Sequence, residues 1–316
     1  MSITLSTGRR VSAAALGLAV VAAAAVATTA PAVAAPHTSS TGTLSITAQR
    51  LILEPTDQGY VGTLNATVTN NGPTASYYSL SFLEPAGAAE GHVFPEDACV
   101  WQGAVGVRTL VNCGSGSGEL ASGASRAHRV RFHVRTTPRD YPMVVDGSWI
   151  GVVPNGDQEP VQSAPFTTLF RSTKGKITKP RPYVQATQTD VSLSAHQVRL
   201  DRLQDGSLQG RMPLTVRYGN DAPSFGLNVI ADLPAGVVVD HIEPQDMPSS
   251  WDWFTVPGGR FVPGEVRTFD VVLTAPAGTP TGELGTGSYT PTSDYVVSLT
   301  DVDPADDTTS FTITAG

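Results

Sequence analysis

The stretch TLNATVTNNGPTASYYSLSF, residues 63–82, decides the reading of this chain. Leu64, Ala66 and Val68 fall on even positions, and so do Tyr78, Leu80 and Phe82. Side chains two apart share one face of a strand, so each run reads as a strand with a single buried face. Asn70-Asn71-Gly72-Pro73 interrupts them. Asn71 and Gly72 are expected to accept positive φ, and Pro73 to fix the chain beyond the turn.

The same pattern fills the rest of the chain. No long segment carries the 3.6-residue apolar period of a helix. Short alternating runs recur, bounded by Gly, Pro, Asn and Asp, with 31 Gly and 24 Pro spread throughout as turn punctuation. That is the signature of an all-β sandwich.

Landmarks around the opening stretch return later. Gly62-Thr63-Leu64-Asn65-Ala66-Thr67-Val68 matches Gly210-Arg211-Met212-Pro213-Leu214-Thr215-Val216. Pro85-Ala86-Gly87 matches Pro234-Ala235-Gly236, and Gly123-Ala124-Ser125-Arg126 matches Gly264-Glu265-Val266-Arg267. Gly147-Ser148-Trp149 matches Gly287-Ser288-Tyr289. The order is kept and each match is displaced by 140 to 149 residues, which makes an internal repeat. The expected architecture is therefore two Ig-like β-sandwich domains in tandem, residues 41–172 and 185–316. Each is long enough to bury its own core. Residues 173–184 read as a solvated, semi-stiff linker.

Residues 1–34 read as a cleaved signal peptide. Arg9 and Arg10 precede an Ala/Val/Leu-rich run, and Ala32-Val33-Ala34 fits a small-x-small cleavage site. Secretion, or retention at the cell surface, is the expected location. The chain carries 28 acidic and 20 basic residues, two of the latter in the leader, so the remainder has a formal charge of −10. That balance argues against nucleic acid as a partner. No second apolar run is long enough to span a membrane. Cys99 and Cys113, an even count at short spacing in an exported chain, suggest one disulfide. A metal site is the competing reading, but only His92 lies close in sequence.

The first module resembles the bacterial extracellular Ig-like repeats of the "domain of unknown function eleven" family. The residues carrying this are Val68-Thr69-Asn70-Asn71-Gly72-Pro73, Pro85-Ala86-Gly87, Cys99-x-Trp101 to Cys113, and Leu120-Ala121-Ser122-Gly123-Ala124-Ser125. The second module keeps Leu233-Pro234-Ala235-Gly236 and Asp301-x-Asp303-Pro304, but has Gly219-Asn220-Asp221 at the turn and no cysteine. The resemblance implies secreted or surface β-sandwich modules and carries no catalytic residues. The alanine-rich leader and the scarcity of lysine suggest a high-GC actinomycete source.

Motifs for catalysis are missing. The chain has no Gly-x-Ser-x-Gly elbow, no His-Glu-x-x-His and no phosphate loop. His128 and His133 have opposite parity on one strand and should face opposite ways. The expected role is non-enzymatic: structural or adhesive modules, or, as the alternative, a carbohydrate- or wall-polymer-binding protein.

Three groups are candidates for binding. Trp251 and Trp253 share strand parity and could stack on sugar, or could fill the core space that Cys99 and Trp101 fill in the first module. Lys174, Lys176, Lys179 and Arg181 gather in the linker, which holds every lysine, and suit a polyanion. Asp301, Asp303, Asp306 and Asp307 offer oxygens to calcium, or form a solvated acidic turn.

Overall fold

The computed structural model describes residues 43–94, 99–114, 119–157, 159–224, 226–292 and 300–316. The leader expected at 1–34 lies outside them. Among the described residues every regular element is a strand. The first sheet comprises β1 (Leu44–Ala48), β2 (Leu51–Thr56), β3 (Gly59–Asn70), β4 (Tyr78–Leu83), β5 (Ala89–Phe94), β6 (Cys99–Val105), β7 (Arg108–Gly114), β8 (Ser125–Val134), β9 (Met143–Pro154), β10 (Gln162–Phe170) and β11 (Arg181–Pro182). The second comprises β12 (Val191–Ala195), β13 (Val198–Arg202), β14 (Leu208–Tyr218), β15 (Asn228–Asp232), β16 (Val238–Glu243), β17 (Ser249–Ser250), β18 (Trp253–Thr255), β19 (Glu265–Ala275), β20 (Gly282–Thr292) and β21 (Thr309–Ala315).

The strand order is β5-β8-β3-β2-β10-β9-β4-β7-β6 in the first sheet and β16-β19-β14-β13-β21-β20-β15-β18-β17 in the second. Adding eleven to each label of the first order reproduces the second, so the topology is duplicated strand for strand. In both, the sheet folds back on itself into two facing layers, joined where β2 or β13 bonds both ways. The opening stretch supplies β3 and β4, which belong to different layers, so its turn is a crossing and not a hairpin.

The alternating residues meet between the layers. Leu64, Val68, Val130 and Phe132 from one layer pack with Leu80, Phe82, Ile150 and Val152 from the other, all fully buried. Phe82 meets Phe132 edge-on at 5.5 Å between ring centroids. In the second sandwich Phe254 meets Phe269 at 5.9 Å and Tyr289 at 5.5 Å.

Registers refine the repeat. Val68 pairs with Arg126, and Val216 with Arg267, so that landmark matches as read. Both arginines hold the loop before their strand: Arg126 donates to Glu119 O, and Arg267 to the carbonyls of Pro257, Gly259 and Arg260. The Gly147/Gly287 landmark slips by one. Phe166 pairs with Ser148 and Phe311 with Gly287, which sets Ile150, not Trp149, opposite the role of Tyr289. Ile150 and Tyr289 are both fully buried.

The turn after β3 departs from expectation. Neither Asn71 nor Gly72 has positive φ. The buried Asn70 side chain organises the turn instead. Its Nδ2 donates to Thr74 O and Leu120 O, and its Oδ1 accepts from Gly72 N. Gly72 is small because a Cβ there would press on Thr43 and Asn70 Oδ1, each 3.1 Å away.

Cys99 and Cys113 form a disulfide across the β6–β7 pair. It closes a short loop, for which the chain-entropy model gives about 3 kcal/mol. Unreduced protein is expected to take up no alkylating label. A reduced, alkylated sample should melt at lower denaturant by about that free energy. Two labelled thiols in native protein would refute the bridge.

Residues 172–183 run against the first sheet and are not clear of it. Arg181 and Pro182 pair with Met143 and Val144, and Tyr183 stacks on Phe170 at 5.0 Å. Beyond them lies a polar junction between the sandwiches. Asp221 accepts from Thr136 Oγ1 at 2.7 Å, Tyr183 OH at 2.9 Å and Ala186 N at 3.0 Å. Gln185 receives Gly87 N and donates to Asp221 O. The buried guanidinium of Arg260, from the second sandwich, donates to Gly87 O and Ala89 O of the first.

Candidate functional site

The exposed aromatic surface lies on the outer face of β15 and β18. β17 and β18 form a tight hairpin, with Ser250 opposite Trp253 and Trp251-Asp252 as the two turn residues. Backbone bonds anchor that turn: Val239 N donates to Trp251 O and Ala231 N to Asp252 O. Trp253 is the cross-strand neighbour of Ile230, and Ile230 that of Thr290. Trp251 is 78% exposed, Ile230 52% and Trp253 38%. Asp232 and Thr290, also exposed, supply a polar fringe.

The alternative that both tryptophans fill the core is therefore overturned, and the shared strand parity does not apply. The hairpin is shorter than β6–β7, so Trp251 falls in its turn and Phe254 takes the inward position. Val229 pairs with Phe254 as Leu80 pairs with Cys113, and Ser249 pairs with Phe254 as Cys99 pairs with Cys113. Phe254, fully buried, thus replaces the buried half of the disulfide. An aromatic does stand in for the staple, but it is the neighbour of the residue expected. Ile230 escaped the sequence reading because a lone outward isoleucine has no local signal.

The linker cations are dispersed. Lys174 pairs with Asp140 at 2.8 Å, and Arg181 lies 4.1 Å from the centroid of the Tyr141 ring. Lys176 and Lys179 are exposed.

Of the four candidate calcium ligands, three converge. Oxygens of Asp301, Asp306 and Asp307 lie within 4.8 Å of one another. Asp303 stands apart and caps its own turn, accepting from Ala305 N. Asp301 also accepts from Val191 N, tying the acidic loop to β12. Burial, then the charges of Asp301 and Asp306, push the Asp307 carboxyl up to about 6. Three such oxygens are a donor set suited to a hard cation.

His128 and His133 do face opposite ways. His128 is buried with Nε2 2.6 Å from Tyr78 OH, whereas His133 Nε2 lies 2.8 Å from Gln58 O. Among the described residues, no helix is long and apolar enough to cross a membrane.

No family model matches the chain, and no curated protein does. Several solved structures are similar at a distance. The periplasmic chaperone SfaE is 12% identical over 85% of this chain and 98% of that one, with a TM-score of 0.25. The adhesin CfaE of enterotoxigenic E. coli is 10% identical over 91% and 81%, with a TM-score of 0.27. The CupB6 tip adhesin of Pseudomonas aeruginosa is 10% identical over 81% and 90%, with a TM-score of 0.29. Likeness this distant carries no argument about what the chain binds.

Proposed function

We propose that this is an extracellular, non-enzymatic binding protein whose second sandwich engages a polysaccharide through Trp251, Ile230 and Trp253. The observation that carries the reading is the exposure of two indoles beside an outward isoleucine on a sheet face. Indoles present a large apolar surface with a polar edge, which suits the C–H face of a pyranose. Asp232 and Thr290 stand where they can meet its hydroxyls.

The test is a pull-down of the secreted protein on purified cell wall and on insoluble polysaccharides. Retention should resist salt. It should fall by about tenfold or more in Trp251→Ala/Trp253→Ala, as for anchors at the centre of an interface. Retention that survives the double substitution would sink the reading. The polar junction favours a second reading, in which the paired sandwiches act as a structural element of the surface. Failure to bind any of the polymers would support it.

A further inference from the structure

The opposite layer of the first sandwich presents a different surface. On β8, Val130, Phe132 and Val134 point into the core, which leaves Arg129 and Arg131 exposed on the outer face. Arg129 lies between Asn65 of β3 and Phe94 of β5, and Arg131 between Thr63 and His92. Residues two apart on a strand are about 6.7 Å apart, so the guanidiniums form one short row. Among the described residues neither has an ion pair or a hydrogen-bond partner. Among the described residues the carboxylates of that face are already engaged, Glu90 by His92 at 3.2 Å and Arg135 at 3.7 Å, and Glu54, opposite Val61, by Arg171 at 2.8 Å.

The repeat supplies an internal control. The register of β19 on β14 places Asp270 and Val272 at the positions of Arg129 and Arg131. The exposed arginines of β14 are neutralised, Arg211 by Glu243 at 2.7 Å and Arg217 by Asp190 at 3.8 Å. The fold therefore does not need cations on this face. Two uncompensated guanidiniums in a chain of net charge −8 stand out as a surface for an anion. A guanidinium fork matches a carboxylate in two-point geometry. Beside the pair stand exposed Thr63 and Asn65, a hydroxyl and an amide. Thr63 and Asn65 each offer an acceptor as well as a donor, so a ligand carrying hydroxyls as well as charges can meet both, whereas a plain polyphosphate has no proton to give the acceptors.

We propose that the outer face of β3 and β8, centred on Arg129 and Arg131, binds a linear uronate-bearing polysaccharide. The guanidiniums pair with carboxylates of successive sugars, and Thr63 and Asn65 hydrogen-bond the ring hydroxyls. This surface is on the other sandwich from Trp251 and Trp253, and does not rest on the reading given for them.

The test is electrophoresis of the secreted protein through gels containing polygalacturonate, its methyl ester, or inorganic polyphosphate. Wild type should be retarded by polygalacturonate, less so as salt rises, and not by the ester. Arg129→Gln/Arg131→Gln should weaken that retardation by about tenfold or more, while Lys176→Gln/Lys179→Gln leaves it unchanged. Both arginines are exposed, so an unaltered melting curve will show that the variant is folded. Four results would each overturn the proposal: equal retardation of the arginine variant, equal retardation by the ester, stronger retardation by polyphosphate, or loss in Lys176→Gln/Lys179→Gln instead.

Discussion

Gly62→Ala and Gly210→Ala should each lower the unfolding free energy by about 2–3 kcal/mol, the upper part of the range for overpacking. Neither glycine has positive φ, so the reason is contact and not backbone freedom. At Gly62 an added Cβ would run into the carbonyl of Ile52 and lie 2.9 Å from Leu53 Cδ2. At Gly210 it would meet the carbonyl of Arg199 and lie 2.7 Å from Leu200 Cδ2. A backbone oxygen cannot swing aside as a side chain can. To make room, β2 or β13 must move, and each is held from the other side by its pairing with β10 or β21. Urea melts of the two variants measure the effect. A midpoint shift below about 0.5 kcal/mol, the scatter of neutral surface changes, would refute it.

Arg260→Met should cost about 2–4 kcal/mol, and the loss should depend on pH. Arg260 satisfies Gly87 O and Ala89 O across the junction, and its charge offsets that of Glu84. Glu84 is 1% exposed and its Oε1 accepts from Gly91 N. Burial pushes its carboxyl up to about 7, with Arg260 acting in the opposite direction. The folded state thus holds this proton more tightly than the unfolded chain, whose glutamate titrates near 4.5. The stabilisation from that proton is fully present below about pH 4.5 and is lost as pH rises through about 7. Glu84→Gln keeps the acceptor and removes the charge. It should flatten the fall in stability between those values and gain up to roughly 3 kcal/mol at pH 8. Arg260→Met, which leaves the carboxylate without its counter-charge, should steepen the fall. Parallel curves for wild type and Glu84→Gln from pH 5 to 8 would show that Glu84 does not titrate in this range.

The strands were legible because burial on one face imposes a period of two, and Leu64, Val68, Val130 and Phe132 obey it without exception. The repeat was legible where a glycine is dictated by close approach, as at Gly62 and Gly210. It misled near Gly147 and Gly287, because each strand there carries an irregularity in register, and a one-residue slip exchanges inside for outside. The turn at Asn70 was misread because a side-chain amide does the work assigned to left-handed backbone. Trp251 and Trp253 were assigned by parity, which fails once a strand is cut to two residues. The junction had no local signal at all. Thr136, Tyr183, Asp221, Glu84 and Arg260 are far apart in sequence, and only the packing of whole sandwiches brings them together.

In each sandwich an early strand lies parallel to the last long one: β2 beside β10, and β13 beside β21. Tension applied at the two ends of a sandwich pulls these neighbours in opposite directions along their own length. The hydrogen bonds between them are then loaded in shear and must yield together, where a hairpin would unzip one bond at a time. A pull along the chain is therefore met, in each sandwich, by a set of bonds that must break together.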